Sequence, residues 1–390
     1  MNAPRASWFR RLLFSLGLLL LGSLVALALA ELLVRAVAPQ QLILLRPDIW
    51  QPMDSVGWAH RPNIRTEVNT GDRTVHMVTD SQGFRTGVSG RPDSGLRVLL
   101  LGDSFMAAMQ VEYEASLAGL IERCFAARTG RAAAVWNTGV SGWDPPQYAF
   151  QARHALERDT FDLVLVSVFL GNDVVTRRYV FPPREADERH VLRLPRRLDW
   201  HEFIDAVLAP VNDGLETRSH LFVLLKTRLR TLLMRFGLTA IEVPSELRKS
   251  EAEAPRWSLT ADLLAEIDSM AASRGIPSVF ALIPSIETVV PSVLSERVEA
   301  FGIDSASIDI EQPERLMRGE LERRGLSVVS TLQPLRAAQG RGVVLYGRAD
   351  PHPSAAGHQV MWNAVAPALA AALHLPYDAE APEDPDCALP

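Results

Sequence analysis

The sequence predicts an α/β fold in which helices cover both faces of a mostly parallel sheet, giving three layers. The first observation is alternation, because short apolar runs rich in Val and Leu alternate with longer segments of helical apolar spacing. The second is that glycine and polar residues follow several of these runs, as they do at the carboxyl ends of buried parallel strands. Such alternation favours right-handed crossovers between parallel strands. The predicted strands cover 97–101, 133–137, 162–169, 277–283 and 326–330, and the predicted helices cover 113–128, 146–158, 258–274, 312–323 and 354–373.

The amino terminus predicts a membrane segment. Arginines precede residues 12–30, which contain no charged side chain. A helix of that length spans about 28 Å, close to the thickness of a bilayer core. We expect a basic cytoplasmic stretch at 1–11, a single transmembrane signal-anchor helix at 12–37, and a periplasmic or otherwise extracytoplasmic remainder. Because Ala28 and Ala30 also fit a signal-peptidase site, secretion after cleavage near Ala30 is the alternative.

Composition divides the remainder of the chain. Residues 41–95 are rich in turn formers and short β-type pieces, which predicts a β-rich collar laid against the core. The α/β domain is expected at 96–375, interrupted by an insertion at 175–255. Apolar and basic residues alternate along 221–236, which suits a lid, a membrane-surface helix or packing on the core. The acidic, proline-rich tail at 376–390 is predicted to be disordered.

Charge and cysteine content exclude some classes of function. The 390 residues carry a formal net charge of −6, and no basic stripe is interleaved with aromatic residues, so nucleic acid is not an expected partner. The two cysteines do not have the spacing of a metal site. About 350 residues remain beyond the apolar segment, which is enough for one α/β core with insertions.

The most informative motif is Gly102-Asp103-Ser104, which ends the apolar run Val98 to Leu101. A serine at the carboxyl end of a buried strand stands where open α/β sheets bind their ligands. A helix that starts there directs free N–H groups and its positive dipole end at whatever binds. Taken alone, the tripeptide favours a strand-to-helix turn in which Ser104 only caps the helix.

Three further segments point to chemistry at the same sheet edge. The turn after the strand at 133–137 contains Gly142, and glycine lets a backbone N–H approach a ligand closely. Asn172 follows the strand at 162–169 and offers a side-chain N–H to a developing negative charge. Asp350 and His352 precede the last predicted helix and combine a carboxylate with an imidazole, as a base and its orienting partner require.

Together these four segments resemble the SGNH (GDSL-type) hydrolase family, named for a Ser, a Gly, an Asn and a His in four blocks in this order. The resemblance implies a flavodoxin-like α/β/α fold and, by position, Ser104 as the nucleophile. It implies an oxyanion hole made by the Ser104 N–H, the Gly142 N–H and the Asn172 side chain. His352 would be the general base, oriented by Asp350, and neither a cofactor nor a metal is expected.

The histidine block departs from the commonest family form, which places the Asp three residues before the His. That position is Ala349 here, whereas Asp350 lies two residues before His352, a spacing that resembles the branch acting on polysaccharide O-acetyl groups. In an extended stretch, residues i and i+2 point to the same side, so the carboxylate can reach the imidazole. We expect His358 to pack in the following helix, and Asp103 to bond turn N–H groups.

The resemblance implies a serine esterase that cleaves or transfers an acyl group through an acyl-serine, with acetyl on an extracytoplasmic glycan or lipid as the expected substrate. An O-acyltransferase acting on a polysaccharide would use the same residues and stays open. Two further classes of protein stay open as well: a catalytically silent, membrane-tethered glycan-binding scaffold and a metallophosphoesterase. The hard-metal ligands available to a metallophosphoesterase are Asp103, Asn172, Asp173, Asp350, His352 and His358.

Overall fold

The computed structural model describes residues 4–38, 40, 48–53, 55–70, 72–174, 215, 218–235, 245–249, 254–347, 351–380 and 387. The first helix, α1 (Pro4–Val37), covers the predicted apolar segment. Within it, Leu13–Val37 is apolar enough to cross a bilayer: its 18-residue window has a mean hydropathy of 2.5 and no part of that window is buried. Its length and composition suit either a membrane anchor or a signal sequence.

One sheet organises the rest of the described chain. Its strands run in the order β10-β9-β8-β6-β7-β5-β4-β3, and β1 pairs with β2 in a separate hairpin. Strands β6 to β10 pair in parallel, whereas β3, β4 and β5 pair antiparallel. The bounds are β1 Trp50–Met53, β2 Gly57–His60, β3 Arg65–Asn69, β4 Thr74–Thr79, β5 Arg85–Thr86, β6 Leu96–Leu101, β7 Ala133–Asn137, β8 Leu163–Phe169, β9 Ser278–Ile283 and β10 Val328–Ser330.

Helices cover both faces of this sheet. Val98 and Leu100 of β6 point to one apolar cluster, and Leu99 and Leu101 point to the other, because successive side chains of a strand alternate. Helices α3, α10 and α11 contribute to the first cluster, and α4, α6 and α9 contribute to the second. The predicted three-layer α/β/α fold class is therefore confirmed. The helices after α1 are α2 Ser104–Ala107, α3 Leu117–Thr129, α4 Pro145–Arg158, α5 His220–Arg235, α6 Ala254–Ala272, α7 Ile286–Val289, α8 Pro291–Phe301, α9 Gln312–Arg323, α10 Leu332–Gly340 and α11 Ala355–Ala372.

The segment at 41–95, for which composition predicts a β-rich collar, is joined to the central sheet. Strands β3, β4 and β5 continue the central sheet instead of lying against it. The connection is one antiparallel pairing, between Arg85 of β5 and Asn137 at the end of β7. Because a residue at the end of β7 carries the pairing, this extension reaches the carboxyl edge of the parallel strands.

The insertion at 175–255 falls partly outside the described residues, and the tail at 376–390 contains a packed residue. Of the insertion at 175–255, the structure describes 215, 218–235, 245–249 and 254–255. At the tail, the Asp378 N–H donates to the Arg128 carbonyl at 2.9 Å, so the first tail residues are packed where disorder was predicted.

Candidate active site

Ser104 begins helix α2 directly after β6, at the carboxyl edge of the parallel strands. Asp103 caps this helix by accepting the Phe105 N–H at 2.9 Å, and the Ser104 hydroxyl donates to Asp103 Oδ2 at 3.4 Å. A side chain is excluded at Gly102, because a Cβ there would lie 2.5 Å from Met106 Cγ. The Gly-Asp-Ser sequence therefore forms a tight strand-to-helix turn with a half-buried serine at its tip.

Asn137, the last residue of β7, and the turn that follows it contact α2. The Asn137 side chain donates to the Met106 carbonyl at 2.8 Å and accepts the Gly139 N–H at 3.1 Å. Gly139 has to be a glycine, since a Cβ would lie 2.6 Å from the Ala107 nitrogen. The second sequence block thus fixes the position of the helix that carries Ser104.

Arg85 holds the carboxyl end of α2. Its fully buried guanidinium donates to the carbonyls of Ala107 and Ala108, and to that of Val111 at 2.7 Å. Ala108 has a left-handed backbone, φ +47°, which ends the helix and turns these carbonyls toward the arginine. Burial lowers the pKa of Arg85 to about 10, so the group stays charged at neutral pH. Sequence reasoning missed this residue, because a single Arg in a short β-type piece carries no signal of burial.

The three donors implied for an oxyanion hole all lie at this edge of the sheet. None of the Ser104 N–H, the Gly142 N–H and the Asn172 side-chain amide has a hydrogen-bond partner among the described residues. Gly142 has φ +79°, a conformation that favours glycine, and the Trp58 indole N–H donates to the adjacent Ser141 carbonyl at 2.9 Å. These groups are available to a ligand.

His352 lies beside the turn that carries Ser104. Its ring centroid is 5.1 Å from that of Phe105, and Phe105 in turn stacks on Phe169 at 4.0 Å. The His352 carbonyl accepts the Gly347 N–H at 3.0 Å, which closes the loop that presents the imidazole. The first, third and fourth sequence blocks are therefore brought together at the carboxyl ends of β6 and β8.

Asp350 and His358 lie on either side of His352 in the sequence. Asp350 lies outside the described residues, so its orienting role stays a prediction. His358 is buried in α11, where its Nδ1 accepts the Leu117 N–H at 3.3 Å. Burial lowers the pKa of His358 to about 3, which keeps the ring neutral. It packs as the sequence predicted and is not placed to act as the base.

Two carboxyl groups are buried beneath the serine turn. Burial raises the pKa of Asp103 to about 6, against the opposing effects of the Phe105 N–H and of His352. Burial and the Asp103 charge raise the pKa of Asp173 well above its ordinary value. Asp173 accepts the Phe169 N–H at 2.7 Å and the Tyr148 hydroxyl at 3.1 Å, so it supports the turn that follows β8.

These contacts bear on the metallophosphoesterase hypothesis. His358 is engaged by the Leu117 N–H, and Asp173 by the Tyr148 hydroxyl and the Phe169 N–H. Among the residues that the structure describes, no three His, Cys, Asp or Glu side chains converge as they would around a metal ion. A hydroxyl, an imidazole and free N–H donors at one edge of the sheet are the groups that nucleophilic acyl chemistry uses.

A cavity of about 290 Å³ opens beside the His352 loop. Gly347 and Pro353, on either side of the imidazole, form one wall. Polar side chains from the strand extension and from the segment after α2 also line it, together with mainly apolar residues. The polar ones are Asp72, Arg73 and Gln110, and the others are Val111, Val344, Tyr346, Ser354 and Ala355.

No protein-family profile and no curated protein matches the chain. Among solved structures, it resembles a member of the lipolytic protein G-D-S-L family from Veillonella parvula, with 11% identity and a TM-score of 0.36 over 69% of this chain and 96% of that one. It also resembles an alpha/beta hydrolase enzyme from the metagenome of Lake Arreo, Spain, with 15% identity and a TM-score of 0.39 over 72% of this chain and 96% of that one. A third is an acetyl xylan esterase variant from Geobacillus stearothermophilus, with 14% identity and a TM-score of 0.34 over 71% of this chain and 95% of that one. The structures that this chain resembles thus include the family to which its motifs pointed. At these TM-scores the likeness carries no argument about function, which is argued from the site alone.

Proposed function

We propose that this protein is a membrane-anchored serine esterase of the SGNH type, which cleaves or transfers an acyl group through an acyl-serine intermediate. The observation that carries the proposal is the position of His352 against Phe105, the residue next to Ser104. The serine at the start of a helix supplies the nucleophile, and the imidazole, which comes from a distant part of the chain, supplies the base.

The reaction follows from these groups. His352 takes the hydroxyl proton as Ser104 Oγ attacks the ester carbonyl carbon. The negative charge on the carbonyl oxygen is held by the N–H groups of Ser104 and Gly142 and by the Asn172 amide. His352 then gives the proton to the leaving alcohol, and the acyl group stays on the serine. A second attack, by water or by a sugar hydroxyl, releases the acyl group in the same way. In this proposal the Asp350 carboxylate orients the His352 imidazole.

The cavity beside His352 favours a glycan substrate. Its lining includes the Asp72 carboxylate, the Arg73 guanidinium and the Gln110 amide, which can bond sugar hydroxyls, beside the apolar side chains of Val111 and Val344. The proposed substrate is an acetyl group on an extracytoplasmic glycan. The anchor would be α1, retained as a single span with its amino terminus in the cytoplasm.

Turnover of p-nitrophenyl acetate by the full chain in detergent tests the proposal. We expect activity that EDTA does not remove and that falls by roughly 10⁴-fold or more in Ser104→Ala. Ser295→Ala is the matched control, because Ser295 is an exposed serine of α8 and should leave the rate unchanged. Activity that EDTA abolishes and Ser104→Ala keeps would favour the metallophosphoesterase. A folded protein that binds acetylated glycan without turnover or acyl transfer would favour the silent scaffold.

A further inference from the structure

Helix α5 exposes a row of leucines. Leu225, Leu229 and Leu232 are 57%, 56% and 49% exposed, respectively. At about 100° per residue, these three side chains lie within about 60° of one another around the helix axis. Such a row on the outside of a protein is unfavourable in water and marks a surface that meets an apolar partner.

Basic side chains flank this row. Lys226 and Arg228 are exposed and lie about 100° and 60° from Leu225, on opposite sides of the row. A helix with an apolar stripe bordered by cations is typical of the boundary between lipid chains and anionic headgroups.

The start of α5 is fixed to the end of α1. Glu31 of α1 accepts the Ser219 hydroxyl at 2.8 Å and the N–H groups of His220 at 3.0 Å and Leu221 at 2.8 Å. On the same side, the Arg35 guanidinium donates to the Arg218 carbonyl at 2.8 Å. These contacts lie in the last turns of the apolar span Leu13–Val37, so α5 begins where that span would leave the bilayer.

We propose that α5 lies in the surface of the membrane that α1 spans, with its leucine row against the lipid chains and Lys226 and Arg228 at anionic headgroups. The lipid surface is the occupant because the start of α5 is bonded to the end of the apolar span and because its flanking charges complement anionic lipid. α5 also packs on α8 of the α/β domain. Contact of α5 with the membrane would therefore orient the α/β domain, which α1 alone would only tether. This inference rests on the anchoring role of α1 but not on the reaction at Ser104.

Quenching by brominated lipid tests the inference in the full chain. The label is a bimane on a cysteine introduced by Leu229→Cys, with Cys387→Ser and with the buried Cys124 left in place. The protein is reconstituted in vesicles of phosphatidylcholine and phosphatidylglycerol, once with ordinary chains and once with chains brominated near the headgroup. An interfacial helix buries its apolar face by about 5–10 Å, so we expect the fluorescence to fall by about half.

Labels at two further positions distinguish insertion of α5 into the membrane surface from anchoring by α1 alone. A label introduced by Thr227→Cys lies about 160° from position 229 and should not be quenched. A label introduced by Leu20→Cys in α1 reports the anchor and should be quenched. If position 20 is quenched and position 229 is not, α1 is an anchor and the proposal for α5 is wrong. Equal quenching at 227 and 229 would also overturn it, and so would self-quenching between copies without lipid quenching. If neither 20 nor 229 is quenched, the anchor itself is wrong.

Discussion

Two helix ends in this molecule are held by a charged side chain from a distant part of the chain. Arg85 donates to three carbonyls at the carboxyl end of α2, next to the proposed nucleophile. Glu31 accepts from the Ser219 hydroxyl and from the N–H groups of His220 and Leu221 at the amino end of α5. In each case the charge is opposite to that end of the helix dipole, so the two contacts use the same physics.

The two contacts differ in burial. Arg85 is fully buried, whereas the Glu31 side chain keeps 19% of its surface exposed. Water can replace a lost partner only where it reaches the vacated groups, so removal of a buried partner costs much more. We therefore expect the contact of Arg85 to hold the serine turn rigidly and the contact of Glu31 to hold the start of α5 only loosely.

The largest expected effect is on Arg85. Arg85→Met leaves the buried carbonyls of Ala107 and Val111 without a donor, whereas the Ala108 carbonyl keeps the Val111 N–H. We expect the free energy of unfolding to fall by about 3–5 kcal/mol. Arg65→Met is the control, because Arg65 of β3 is exposed and its loss should change stability little. Urea denaturation of both variants in detergent is the measurement. Equal midpoints would show that the buried contact does not stabilise α2.

The next effect concerns the reaction. Asn172→Ala removes one of the three free donors, and loss of one oxyanion donor lowers kcat by roughly 10²–10³-fold. Asn172 is exposed, so circular dichroism should not change. Asn363→Ala, an exposed asparagine of α11, should keep the full rate. A folded Asn172→Ala variant with the wild-type kcat would remove this side chain from the oxyanion hole.

A smaller effect, visible only as a pH dependence, is expected at His358. The folded protein holds this ring neutral down to a pKa of about 3, whereas the unfolded chain takes up a proton near pH 6.5. Its contribution to stability is therefore complete above pH 6.5 and is lost as the pH falls toward 3. His358→Asn keeps an acceptor for the Leu117 N–H and should make this slope shallower by about 1.4 kcal/mol per pH unit.

Denaturation midpoints at several pH values between 4 and 7 would measure the His358 slope. His374→Asn is the control, since His374 is exposed and has a left-handed backbone, φ +54°, that Asn tolerates. An unchanged slope in His358→Asn, or an equal change in both variants, would contradict the buried, neutral histidine.

The smallest effect is expected at Glu31. Glu31→Gln keeps one acceptor oxygen at the start of α5, and water can reach the site. The free energy of unfolding should therefore fall by less than about 1 kcal/mol. Esterase turnover should not change, because the proposed mechanism uses no residue of α5. A loss as large as that of Arg85→Met would mean that burial is not what distinguishes the two helix ends.

The parallel core was largely predictable from the sequence, because its signals are local. The apolar run predicted at 97–101 is β6, Leu96–Leu101, and the helix predicted at 312–323 is α9, Gln312–Arg323. Helices α7 and α8 were not predicted, since Pro284 and Pro291 interrupt the apolar spacing from which helices are read.

The support of the site was much less predictable. The extension of the sheet by β5 depends on one pairing between Arg85 and Asn137, which are far apart in the sequence. The bond between Tyr148 and Asp173 is equally non-local. Motif spacing predicts the residues of the candidate site, but the residues that hold them depend on tertiary contacts that no local pattern encodes.

The most direct test of the central claim is to map the serine that reacts. The full chain is treated with a fluorophosphonate in detergent and digested, and the modified peptide is identified by mass spectrometry. We expect one adduct per chain, on the peptide that contains Ser104, and no adduct in His352→Ala, where the base is missing. An adduct on another serine, or ester turnover by a folded protein that Ser104→Ala leaves intact, would contradict the serine mechanism.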